Sequence, residues 1–437
     1  MRRLLVSLAL LFIVAIDSQA IATTVMVYYQ PTPFPSKRTN GTNLYSANRH
    51  VLMGWLPSNF YGMTFQKDDK LQIGGWGDIY RAYMLFDLEG LPSSVTQARL
   101  QLFAYPRGDN STLTNFNMSL PTAKWWYAKD KNGNVGTDQD ANYSWDTSLT
   151  WSTQPGRTPI TGWNVASLPT NHFWVFDITS MYSNWRSNPS SNMGVVLDPW
   201  YNNNNFDLWY STRYSNDGYR PLLQLTFNQD PNMPNFKLPL PGGVRWLLTN
   251  EIGGYESKGG SDSIDQFHQG QSYFSLDINS SGIKDDGTIY PSSNIPVLAA
   301  AAGNVVQINR DPNSSGGTGC YVTIDHGSGY YTRYLHFDTA PARANGTLLN
   351  NGDHVNQGDQ VGLMGNSGIS FGKHVHINFW YGGFLNGYST IPQLQNITME
   401  GFLLKSYQTE TPMDANGQIT SSEWIRRYHS TNYPTGL

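Results

Sequence analysis

Three features of this 437-residue sequence predict an all-β protein. Short strand-like runs separated by turn residues recur along the first half. Aromatic residues make up 14% of the chain and charged residues only 14%, with Gly, Asn, Ser and Thr abundant. This composition suits pleated, half-buried surfaces joined by tight turns. In the second half, polar and apolar residues alternate with period two in His374-Val375-His376-Ile377-Asn378-Phe379, the spacing of a strand. A chain this long exceeds one ordinary core, so two to three domains are expected. We expect an N-terminal β-sandwich (jelly-roll-like) followed by a C-terminal antiparallel β-sheet domain. The net charge of −4 gives no case for nucleic acid as a partner.

Residues 1–20 read as a secretory signal peptide. Arg2 and Arg3 are basic, Leu4 to Ile16 are almost wholly apolar, and Ser18-Gln19-Ala20 supplies small residues for cleavage. The apolar run is too short for a membrane span, so no stable membrane anchor is expected and the mature protein is secreted or periplasmic. The single cysteine, Cys320, lies among strand-forming residues and reads as a buried unpaired thiol.

Residues 21–228 carry the strand-like runs Arg81–Leu88, Gln97–Ala104, Ser148–Trp151, Trp174–Ile178, Met193–Leu197 and Pro221–Phe227. Thr179–Trp185 reads as a short helix capped by Thr179 or Ser180. The order of these features resembles the DNRLRE-type β-sandwich modules of secreted bacterial proteins. Arg81 precedes Phe86-Asp87-Leu88, and Leu91-Pro92 and Ala98–Leu102 follow. Leu149-Thr150-Trp151, Phe176–Thr179 with Trp185, and Arg220–Leu223 complete the order. Because some relatives of such modules bind polysaccharide, the resemblance implies a glycan-binding role. Trp125-Trp126-Tyr127 and Trp200-Tyr201 would either stack on sugars or pack in the core.

Residues 229–242, rich in proline, read as a semi-rigid linker. Residues 243–400 form the second domain and 401–437 a polar C-terminal tail. In that tail Asp414, Asn416, Gly417, Ile419 and Glu423 fall at EF-hand-like positions, but Pro412 stands where the first ligand belongs.

Six of the nine histidines fall between His268 and His376. In a strand, His374 and His376 project from one face while Val375, Ile377 and Phe379 point to the other. Two imidazoles on one face of an apolar strand suit a zinc site better than a core. Asp277, between Leu276 and Ile278, would be a costly buried carboxylate unless a metal and His268 satisfied it. Tyr331–His336 reads as a strand with His336 on the face of Tyr334. Taken singly, His268, Asp277 and His336 are better read as satisfied core groups.

Their order along the chain carries more information. His268…Asp277, Gly303–Val306, Val322–Gly329, Tyr334-Leu335-His336, Asn351–Gly362, Gly365–Gly368 and His374-Val375-His376 follow one another. This order resembles the lysostaphin-type zinc endopeptidases, including the LytM and staphylolysin branches, which cut peptide bonds in bacterial cell walls. The resemblance covers about residues 236–392. It implies zinc ligands His268, Asp277 and His376, with His336 and His374 as catalytic histidines. His374 would act as general base and later help protonate the leaving amine; His336 would steady the oxyanion or orient the water. The implied partners are peptidoglycan peptides, in stems or cross-bridges, and a non-catalytic wall binder or amidase activator is the alternative.

Three departures from the family pattern stand out. Eight residues separate His268 from Asp277, Lys373 puts a charge before His374, and residues 279–294 form an extra loop able to wall a groove. His326 reads as a turn residue and His354 as a solvated strand edge; His50, His172 and His429 have no visible partners.

Overall fold

A computed structural model describes residues 23–29, 48–55, 63–65, 70–75, 79–86, 88–105, 116–125, 127–130, 135–136, 143–146, 154–165, 173–199, 205–210 and 219 of the N-terminal half. In the C-terminal half it describes 221–250, 252–254, 266–314, 317–404, 409–410 and 425–433. The expected signal peptide, the strand at Ser148–Trp151, the EF-hand-like stretch, Trp126, Trp200, Tyr201 and His172 lie outside the described residues, as does the side chain of His50. The protein is mostly β-sheet, and among the described residues the paired strands are antiparallel. Among the described residues no helix is long and apolar enough to cross a membrane.

Two of the three sheets described in the N-terminal half enclose one apolar core. The first has the order Thr23–Tyr29, Leu222–Gln229, Gln97–Phe103, Phe173–Asp177. The second runs Arg157–Val165, Phe116–Pro121, Val195–Pro199, Ile79–Phe86, Asn48–Trp55, Met63–Phe65. Leu100, Leu102, Leu223 and Leu225 of the first meet Met84, Phe86, Phe116, Met118 and Leu197 of the second. Trp174 stacks on Phe116 across the gap, with centroids 5.7 Å apart. Trp125 is buried, its indole N–H donating to the Met193 carbonyl, so this aromatic serves packing. The helix spans Thr179–Ser187, but neither Thr179 nor Ser180 caps it. Asp177 accepts the Thr179 N–H at 2.9 Å and its hydroxyl at 2.6 Å, because Thr179 is already in the helix.

The C-terminal half is built on one nine-stranded sheet. Its order is His354–Val355, Gly303–Asn309, Cys320–Asp325, Tyr330–Phe337, His374–Tyr381, Ser275–Lys284, Val244–Asn250, Ile425–Ser430, Thr409–Glu410. One face is apolar: Trp246, Leu248, Leu276, Ile278, Val322, Ile324, Val375, Ile377 and Phe379 are buried in a single core. Cys320 joins that core as a free thiol.

Two segments differ from the sequence reading. Phe236, Leu238 and Leu240 of the proline-rich stretch are fully buried in this second core, with Phe236 edge-on to Phe379 at 5.3 Å, so the segment packs where a linker was expected. The expected tail supplies a sheet strand, Ile425–Ser430, whose Tyr428 enters the core. Sparse apolar content hid both, because a few anchoring side chains suffice when backbone pairing satisfies the rest. Of the expected extra loop, residues 279–284 continue the strand Ser275–Lys284, and Tyr290 lies 4.8 Å from Trp246, on the apolar side. His429 has a partner after all, with Nε2 2.9 Å from Asp285 Oδ1.

Candidate metal centre

The face of the C-terminal sheet opposite its core carries the candidate site. Asp277 and His376 stand directly across from each other on adjacent antiparallel strands, as do Asn279 and His374. Such register brings β-carbons to about 5 Å, which lets a short carboxylate reach an imidazole. Asp277 Oδ1 lies 2.8 Å from His376 Nδ1 and 3.5 Å from His374 Nε2. His268 arrives from the short 3-10 turn Gln266–His268, fully buried, with Nε2 3.0 Å from Asp277 Oδ2. One ligand atom each from His268, Asp277 and His376 falls within 4.8 Å of the other two.

His336 reaches the same face by breaking the alternation. Tyr334 pairs with Val322 and Phe337 with Cys320, so three residues on one strand span two on the other. The surplus residue is accommodated at His336, which takes φ +65°, a left-handed conformation rare outside glycine. This bulge corrects the expected placement: Tyr334 remains in the core while His336 turns to the opposite side. Its ring centroid is 4.8 Å from that of His374 and 6.0 Å from that of His376.

The hydrogen bonds fix the tautomers. His336 Nδ1 donates to the Ser367 carbonyl at 2.8 Å, and His374 Nδ1 to the Gly372 carbonyl at 2.8 Å. The Nε2 atoms of both then carry lone pairs. Ser367 is held by the turn at Gly368 (φ +77°), where a β-carbon would come within 2.3 Å of the Gly317 carbonyl. For His268, Nδ1 faces the Ser275 hydroxyl at 2.8 Å, and that hydroxyl gives its own proton to the Ser272 carbonyl at 2.6 Å. His268 Nδ1 is therefore the donor, and its Nε2 presents a lone pair to a carboxylate oxygen. Two acceptors 3.0 Å apart repel unless a cation lies between them. Asp277 Oδ1 is likewise buried without a hydrogen bond. The donor set, two imidazoles and a carboxylate, fits a zinc ion.

The charges agree with that reading. Burial opposes ionisation of Asp277, yet the neighbouring His268 and His376 outweigh it and hold its carboxyl well below the usual range. Burial lowers His376, the Asp277 charge only partly countering it. Burial, reinforced by His376 and His374, lowers His336 to about 4. An ionised Asp277 and a His376 ring shifted towards its neutral form are the states that ligate a divalent cation.

All five residues singled out in the sequence thus meet at one place. Two supporting groups were missed. Asn250 donates to Asp277 Oδ2 at 2.9 Å, but two register shifts in its pairing hide it from sequence. Ser275 sits two residues before Asp277, so strand alternation alone places it on the same face. Lys373 pairs with Asp338 at 2.9 Å. His326 is structural: Nδ1 contacts the Ala302 carbonyl at 2.8 Å and Nε2 the Thr332 hydroxyl at 2.7 Å. His354 lies on a sheet-edge strand, exposed.

Residues 285–387 match the model of Peptidase family M23. The C-terminal half therefore carries an M23 domain, and His268 and Asp277 lie N-terminal to the matched segment and join it through the fold. An uncharacterized metalloprotease of Haemophilus influenzae is 36% identical over 92 residues, 21% of this chain and 17% of that protein. The peptidoglycan DD-endopeptidase ShyC of Vibrio cholerae is 30% identical over 129 residues, 28% of this chain and 27% of that protein. The chain thus spans only a minor part of these relatives' length. Among solved structures, the catalytic domain of the prophage-encoded M23 protein EnpA from Enterococcus faecalis is 24% identical. That likeness covers 37% of this chain and 96% of the other, with a TM-score of 0.24.

Proposed function

We propose that this chain is an exported zinc metalloendopeptidase that hydrolyses peptide bonds in peptidoglycan stem peptides or cross-bridges. The observation that carries the reading is the buried His268–Asp277–His376 trio with two further imidazoles beside it. The M23 match and relatives named as peptidoglycan DD-endopeptidases support the substrate class. His268, Asp277 and His376 would hold the zinc, which when bound lowers the pKa of a water to about 7 and polarises a carbonyl.

The chain's own residues then divide the remaining work. His374 Nε2, left basic by the hydrogen bond at Nδ1, accepts the proton of the attacking water and returns it to the leaving amine. His336 Nε2 is an acceptor in the neutral ring, so it orients the water; steadying an oxyanion would require a donor there. Asn250 and Ser275 keep Asp277 and His268 in position. The N-terminal unit is proposed as a polysaccharide-binding module on the strength of its sequence resemblance.

The test is digestion of purified cell-wall sacculi by the zinc-loaded protein, read as new amino termini. Their appearance, abolished by chelation, is expected. A zinc-loaded protein that releases none overturns the proposal.

A further inference from the structure

One polar row crosses the site-bearing face beside the metal-binding row. Gln307, Thr323, Arg333, Asn378 and Ser275 face one another in register across five strands. Asn378 is two residues beyond His376 on its strand, and Ser275 two before Asp277, so this row lies about 7 Å from the metal row. Its centre is Arg333, only 8% exposed. The guanidinium is clamped between Tyr321 and Trp380, 4.5 Å from each ring centroid. Nε donates to the Thr323 hydroxyl at 2.8 Å and Nη2 to Gln307 Oε1. Among the described residues Nη1 has no hydrogen-bond partner, and it is not among the fully buried unpartnered atoms. Across the strand, Asn378 Oδ1 is buried and also lacks a partner.

A buried guanidinium is ordinarily matched by a carboxylate. Among the described residues Arg333 has no ion pair, and burial lowers its pKa with the Tyr321 phenol opposing. Two aromatic rings and two neutral acceptors hold the group rigid and leave one edge open. That is the preparation expected of a site for an external carboxylate.

We infer that Arg333 is a specificity residue that binds a carboxylate of the substrate peptide about one residue from the scissile bond. The inference rests on the peptidase reading above and deepens it by naming the substrate chemistry: acidic peptides are preferred over their amidated counterparts.

The test uses full-length zinc-loaded protein and short wall-type peptides, in which a chain-terminal carboxylate and a side-chain carboxylate are each replaced in turn by the amide. Kinetics are paired with calorimetric binding to the metal-free protein, where turnover is absent. Wild type should favour one of the two carboxylates by about 10- to 100-fold, mostly in KM, and which one identifies its source. Arg333→Gln should erase the preference, and Arg333→Lys should retain part of it. Gln307→Glu, which supplies an internal carboxylate without removing the arginine, should erase it in a folded protein. Equal use of acidic and amidated peptides by wild type overturns the inference and leaves the peptidase reading standing. Equal loss on both peptides in Gln307→Glu and Arg333→Lys also overturns it, since that is a structural role. Hydrolysis of neither form, with preferential binding of the acidic one, supports the site and overturns the peptidase reading. Neither hydrolysis nor binding overturns both.

Discussion

The left-handed backbone at His336 makes a prediction whose sign opposes ordinary experience. In the body of a strand, Gly is less stable than Ala by roughly 0.5–1 kcal/mol, because it loses more chain entropy on folding. At φ +65° the order should reverse. An L-residue there carries a cost of roughly 1–2 kcal/mol that glycine escapes. Setting the two against each other leaves His336→Gly more stable than His336→Ala by roughly 0.5–1 kcal/mol. Both variants remove the same buried imidazole and its hydrogen bond to Ser367, so those losses cancel in the comparison. Urea unfolding of the two metal-free proteins at neutral pH measures the difference directly, and equal slopes would show that only stability changed. A glycine variant less stable than the alanine variant would refute the reasoning: His336 would then lie in ordinary strand, with its ring buried in the core. The bulge is thus tied to the site, since strain persists where surrounding structure enforces it to aim a side chain.

Three further outcomes are expected. His376→Ala should lose both zinc and activity, whereas His374→Ala should keep zinc by elemental analysis and lose activity on the order of 10² to 10⁴. Ser275→Ala removes the shorter contact at His268 Nδ1, leaving the Ser275 carbonyl at 3.1 Å, and should weaken zinc affinity by up to about 10-fold in competition with a chromophoric chelator. Burial holds His326 down to about 4 in the folded state, against an unfolded value near 6.5. Protons therefore favour the unfolded chain, and stability complete above about pH 6.5 is lost as pH falls towards 4. His326 contributes at most about 3 kcal/mol to that loss. In denaturant melts across that window, His326→Gln should show a shallower decline than wild type; an identical decline would place the titration elsewhere.

Much of the site was legible because the sheet obeys period two. His374 and His376 share a face by alternation alone, and Asp277 betrays itself as a carboxylate between two core residues. What sequence could not show was register. Whether Asp277 faces His376 depends on how two strands 99 residues apart in sequence align (376 − 277), which only the folded sheet decides. His336 illustrates the limit. Alternation puts it with Tyr334 on the core side, and nothing in Tyr334-Leu335-His336-Phe337 announces the extra residue. The bulge exists only relative to Cys320–Val322, the partner that offers one residue fewer. The same holds for Ile425–Ser430 and for Phe236, Leu238 and Leu240, whose roles come from the strands and core they join. Local chemistry and the order along the chain therefore pointed to the candidate groups, and pairing decided which of them meet. Arg333 belongs to the second kind: unremarkable as a residue, it becomes a candidate anion site only because its row lies one step from the metal row and contains no acid.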